Sequence, residues 1–314
     1  MQKQNTFKFQ PSQWIPFRDQ EECERIRNIK REDFDKHPNP DVTIKVVRDK
    51  QVPIIHITDM LNRIKAASED NRDIAFITGN PNPGYSHLAH MLNELKIDCR
   101  HLYIINWDEW ADEDGNTAPE SYPQGFMHAM KKYFYSNLDE KIRPPEEQIM
   151  GPTTENINDI GKFIEDKFGG VDVCYSGSGW TGHLGFIDPD TPEFQASLDE
   201  WKEMGPRIVT LNPFTIAQNS LHPSFGRCGD MAFVPPKAAT LGPAQALGAK
   251  HRMDFSTITI GGSETSWQRF ISRLVIHGPV TPQIPGSILQ TVPTDFYVSE
   301  TIASDIKPVW YESY

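Results

Sequence analysis

The chain has 314 residues, 38% hydrophobic and 24% charged, which is enough to build one large or two modest cored domains. A formal charge of −12 sets it against extended polyanions such as nucleic acid, which need a concentrated basic face, but leaves room for a local pocket that holds one phosphate. No apolar run approaches the ~20 residues of a membrane span, and the start, with Lys3 and Lys8, has no signal-like apolar stretch. A cytoplasmic protein with no membrane partner is expected. Cys23, Cys99, Cys174 and Cys228 are too widely separated for a disulfide scaffold or a zinc site, and read as reduced thiols.

Residues 1–40 mix Gln and Pro with a charged stretch from Asp19 to Lys36. Asp19 three residues before Glu22 is a capping-box-like start, and it predicts a short helix towards Arg31 that ends at His37-Pro38-Asn39-Pro40. This segment reads as an N-terminal extension, an arm or lid on a main domain spanning 41–314. From Thr43 a strand-then-helix alternation sets in. Strand-like runs lie at Thr43 to Val47, Ile74 to Ile77, Leu102 to Ile105, Val171 to Tyr175, Ile208 to Leu211, Thr257 to Ile260 and Phe296 to Val298. Helical spacing appears in Met60, Leu61 and Ile64 after a Thr58 cap, in Leu88, Met91, Leu92 and Leu95, and in Trp267, Phe270, Ile271 and Leu274. The expected fold is α/β: three layers, with a mostly parallel, Rossmann-like sheet and helices on both faces.

On such a sheet ligands bind where strands end, so the turns after the strands carry the function. The first, Thr78-Gly79-Asn80-Pro81-Asn82-Pro83-Gly84, offers glycines for close backbone approach and leads into a helix, making Thr78, Gly79 and Asn80 candidate ligand contacts. Pro81 and Pro83 remove two donors from any phosphate cradle, so a plain tight turn is nearly as good a reading. The second places Asp108 and Glu109 between Trp107 and Trp110. A carboxylate in apolar company can shuttle protons, although the dipeptide alone is better read as a helix cap at Asp108 and a solvated Glu109. The third runs from Ser176 to Pro189 with four glycines, and holds His183, suited to proton transfer near neutral pH, with Asp188 five residues on to orient the imidazole. Gly179, Trp180 and Gly182 in this loop are further candidate contacts, with Trp180 either stacking on a ligand face or plugging the loop.

Taken in order, these segments resemble the glucosamine-6-phosphate deaminase family and, more distantly, the 6-phosphogluconolactonases. Asp108-Glu109-Trp110, Pro119-Glu120-Ser121-Tyr122 and Phe126-Met127-His128 are similar to that family's Asp-Glu-Tyr, Pro-Glu-Ser-Tyr and Phe-Met-His. Gly179, Gly182-His183, Phe186 and Pro189 are similar to its catalytic loop. The resemblance spans residues 43–300, with weaker matches at Gln218-Asn219-Ser220 and Gly262-Ser263. It implies that Asp108 moves a proton between C1 and C2 of an open sugar, and that His183 assists ring opening between flanking carboxylates. Here those flanking positions carry the uncharged Thr181 and the shorter Asp188. It implies no metal or organic cofactor, a small-molecule sugar or sugar phosphate as partner, and a homo-oligomer. Leu221 and Thr265 stand where the family has an arginine and a lysine for phosphate, with Arg227, Arg269 and Lys250 as possible substitutes. An enzyme is the leading reading; a sugar-binding protein without turnover and a lactonase are the alternatives. His87 and His90, three apart on a helix, read as surface or packing residues, and Trp310, Tyr311 and Tyr314 as a docking tail.

Overall fold

The computed structural model describes residues 7–308. Residues 1–6 and 309–314, with Trp310, Tyr311 and Tyr314, lie outside the described residues. In chain order the helices and strands are α1 (Gln20–Arg27), β1 (Val42–Val47), α2 (Val52–Glu69), β2 (Ile74–Thr78), α3 (Gly84–Leu95), β3 (Leu102–Asn106), β4 (Asp108–Ala111), α4 (Phe126–Tyr133), β5 (Ile149–Met150), α5 (Ile160–Phe168), β6 (Val173–Ser176), α6 (Leu198–Lys202), β7 (Arg207–Thr210), α7 (Pro213–Ser220), β8 (Lys237–Thr240), α8 (Pro243–Gly248), β9 (His251–Ser256), α9 (Gln268–His277), β10 (Thr294–Ser299) and α10 (Glu300–Ala303).

Among the described residues, seven strands pair in parallel in the order β1-β10-β9-β6-β2-β3-β5. The continuous apolar runs follow from burial on both faces. Along β2, Ile74 and Phe76 join one core cluster, under α2, α3 and α4, whereas Ala75 and Ile77 join the other, under α5, α8 and α9. The fold is therefore a three-layer α/β sandwich. A second sheet, antiparallel in the order β4-β8-β7, folds back over the carboxyl edge of the first. Among the described residues, no helix is long and apolar enough to cross a membrane.

The elements depart from the sequence reading at identifiable places. The strand expected at Thr257 to Ile260 lies earlier, at β9, because Met253–Ser256 fill the register between β6 and β10. Arg252 and Asp254 break the apolar run there, and both are buried. The helix expected to begin at a Thr58 cap starts six residues earlier at Val52, with Pro53 in the first turn, where a missing N–H costs nothing. The strands β4, β5 and β8 are too short or too rich in small and charged residues to register as periodic runs.

The described part of the amino-terminal segment bonds to α9 and to the chain after α10. Asp19 accepts the Glu22 N–H at 3.0 Å to begin α1. Arg25 donates to the His277 carbonyl at 2.6 Å, and the Arg31 N–H to Asp305 at 2.9 Å, which ties the segment to α9 and to the chain beyond α10. Phe34 is fully buried, edge-on to His277 and 5.0 Å from the Arg273 guanidinium. Phe34→Ala is expected to lower stability by about 3 kcal/mol in urea unfolding. A loss below about 1 kcal/mol would show that the arm is not part of the cooperative core.

Candidate active site

Strand order reverses between β6 and β2, and a cleft of about 220 Å³ opens there at the carboxyl edge. Four strand-end loops meet in it, bringing Gly79 and Asn80 from β2, Trp107 and Asp108 from β3, and His183 from the loop after β6, with Thr257 following β9. Asp108 and His183, 75 residues apart by numbering, thus face one cavity.

His183 is held from below. Its Nδ1 lies 3.2 Å from Asp188 Oδ1 and 3.1 Å from Thr215 Oγ1. Asp188 is buried and accepts the Thr181 hydroxyl at 2.8 Å, the Thr215 hydroxyl at 2.6 Å and the Asn212 N–H at 2.8 Å. Thr181 therefore steadies Asp188 rather than the ring itself. With Nδ1 so engaged, Nε2 is the nitrogen left for proton traffic. It rests against Gly179, where any Cβ would overlap it, so glycine is required for this approach.

Asp108 begins β4 and sits opposite Thr240 in the β4–β8 ladder. Its Oδ1 accepts the Phe186 N–H at 3.0 Å. Gly185 makes that contact possible: its φ is +57°, and a Cβ there would press on both Trp107 and Asp108. Burial pushes the Asp108 carboxyl up to about 7, against the opposing pull of the Thr240 hydroxyl, the His183 ring and the Phe186 N–H. A carboxyl poised near neutrality in a cleft can take and return a proton.

The remaining candidates divide. Gly79 and Asn80 border the cleft, and Thr78 is buried beneath them with its carbonyl accepting the Trp107 N–H at 2.9 Å. Trp180 does not line the cleft; its ring stacks on Trp267 at 5.7 Å, and its N–H is held by Gln218. Gly182 packs outside the cleft against Ile284. Glu109 points the other way, into a separate pocket, and caps α4 by accepting the N–H groups of Trp110, Phe126 and Met127 at 2.9, 3.1 and 2.8 Å. The helix cap of this dipeptide is thus Glu109, and Asp108 is the residue in the cleft. Burial raises Glu109 to about 6 in spite of those donors. Thr215, Thr240 and His56 belong to the site and carry no sequence signal, since isolated Thr and His residues on a helix or short strand look like any others. Among the described residues, no cluster of three or more His, Cys, Asp or Glu is placed to hold a metal ion.

No family model matches the sequence. The glucosamine-6-phosphate deaminase of Halothermothrix orenii is 30% identical over 212 residues, which is 67% of this chain and 76% of that protein. This chain belongs to the glucosamine-6-phosphate deaminase family. Glucosamine-6-phosphate deaminase 2 of Bacillus subtilis is 28% identical over 240 residues, covering 74% of this chain and 86% of that one. Among solved structures, a monomeric glucosamine-6-phosphate deaminase superposes with a TM-score of 0.63 at 19% identity, over 83% of this chain and 98% of its own. The 6-phosphogluconolactonase of Thermotoga maritima gives 0.55 at 14% identity, over 82% and 100%. Both share the fold.

Glu109→Ala is expected to cost about 2 kcal/mol in urea unfolding, because it removes a helix cap and leaves three N–H groups without their acceptor. A cost below about 0.5 kcal/mol would show that the cap contributes little.

Proposed function

We propose that this chain opens the ring of an amino sugar and moves a proton from C2 to C1, releasing ammonia. The observation that carries this reading is that His183 and Asp108 line one cleft, the first oriented by Asp188, the second raised towards neutrality by burial. His183 Nε2 takes the proton of the anomeric hydroxyl, and the ring oxygen is protonated as its bond to C1 breaks, which leaves an aldehyde at C1. Asp108 then removes the proton on C2 and returns it to C1 while a proton passes from the amine to the C1 oxygen, so the amine-bearing C2 becomes an imine and C1 a hydroxymethyl carbon. Addition of water to that imine expels ammonia and leaves a ketone. Gly79 and Asn80 border the substrate, and the Asn212–Thr215–Asp188 group keeps the imidazole in one tautomer. Support for this chemistry comes from the family, whose relatives are named for deamination of glucosamine 6-phosphate. The chain's own substrate is sought among amino sugars with and without phosphate.

Ammonia release and ketose formation from glucosamine and from glucosamine 6-phosphate test the reading. Asp108→Asn is expected to lower kcat at least about a hundredfold. Wild-type kcat/KM is expected to rise with pH through about 7, as Asp108 loses its proton. An Asp108→Asn variant of undiminished rate would sink the assigned base. The same burial has a stability signature. A carboxyl whose folded value lies at about 7, above the ordinary 3.8, is protonated in the folded chain while ionised in the unfolded one, so stability falls as pH rises between them. Asp108→Asn removes that cost, and its gain in Tm is expected to be larger at about pH 8 than at about pH 4.

A further inference from the structure

The cleft has a far wall that the proton chemistry leaves unused. His56, on α2, stands there with its ring 4.8 Å from that of Tyr175 and 4.9 Å from that of Phe255. Burial pushes its imidazole down to about 4, which keeps it neutral at physiological pH, and its Nε2 has no hydrogen-bond partner. Among the described residues lining the cleft there is no lysine or arginine.

Cations from neighbouring segments are committed elsewhere. Arg269 donates to the Ser304 hydroxyl at 3.0 Å and the Asp305 carbonyl at 2.7 Å. Lys250 pairs with Asp172 at 3.5 Å at the amino edge of the sheet, and Arg63 with Asp59 at 2.7 Å. Arg227 is exposed and outside the lining. The first turn of α3 does not replace them. Pro81 and Pro83 have no N–H, and the first-turn N–H groups of Gly84, Tyr85 and Ser86 already bond Asn82 Oδ1, the Asn82 carbonyl and the Pro83 carbonyl at 2.9, 3.0 and 3.1 Å.

A phosphate dianion in this space would shed its water with no cation in the lining to replace it, and would share the cleft with the Asp108 carboxyl. An uncharged sugar meets no such cost. Its C–H face packs on the half-buried Phe255 ring, and a hydroxyl finds the spare nitrogen of His56. We infer that the cleft takes an unphosphorylated sugar, with His56 as the residue that positions its far hydroxyl, even though the relatives are named for a 6-phosphate. The inference rests on the cleft being the sugar site proposed above, not on turnover.

Calorimetric titration of the wild-type protein with glucosamine, glucosamine 6-phosphate and inorganic phosphate tests it. Glucosamine is expected to bind at least about tenfold more tightly than its 6-phosphate, with inorganic phosphate failing to compete. Thr257→Lys, which puts a cation at the rim, is expected to shift the preference towards the phosphorylated sugar. His56→Phe keeps the aromatic packing and is expected to weaken glucosamine binding roughly tenfold, with His56→Gln recovering most of it. Tighter wild-type binding of the 6-phosphate, competition by inorganic phosphate, or no binding of either sugar overturns the inference, whether or not ammonia appears. Glucosamine binding without ammonia release leaves it standing and removes only the catalytic reading.

Discussion

The site depends on one buried carboxylate. Asp188 receives two threonine hydroxyls and a backbone N–H, with the imidazole Nδ1 of His183 beside the same oxygen that takes the hydroxyls. Those partners come from the glycine-rich loop after β6 and from the start of α7, so the group that orients the ring also pins the loop to the helix. Burial makes the arrangement stiff: a carboxylate out of water must keep its donors, and losing one leaves an unmet acceptor at a cost of a few kcal/mol.

Asp108 shows the opposite use of burial. It has fewer partners than Asp188, and the Phe186 N–H reaches it because Gly185 lets the loop come close. Its proton is consequently held up to about 7. The two acids thus differ in their surroundings: donors surround Asp188, whereas burial dominates at Asp108. The second sheet makes this possible, since pairing of β4 with β8 sets Asp108 beside Thr240.

Charge defines the cleft as much as these two residues do. The protein carries −12 overall, and the cleft lining is polar and aromatic without a basic side chain among the described residues. A ligand held there gains from stacking and neutral hydrogen bonds, which favour shape over charge. The family likeness and the local chemistry are therefore separate facts: the first follows from sequence identity and the shared frame, the second from what lines the cleft.

Periodicity in the sequence was enough to determine the parallel α/β architecture, because strands buried on both faces and helices buried on one leave different apolar spacings. Motif order, through its resemblance to a known family, singled out Asp108, His183 and Asp188, and the structure sets Asp108 and His183 on one cleft with Asp188 beside the imidazole. The sequence could not show that Glu109 caps α4 while its neighbour faces the cleft, or that Trp180 turns to Trp267. Adjacent residues on a strand point to opposite sides, and which side is the cavity is set by partners far along the chain. Nor could it show Thr215, Thr240 or His56. Their roles arise from long-range packing that brings one hydroxyl or one ring to a particular spot, and no local pattern of residues encodes such a meeting.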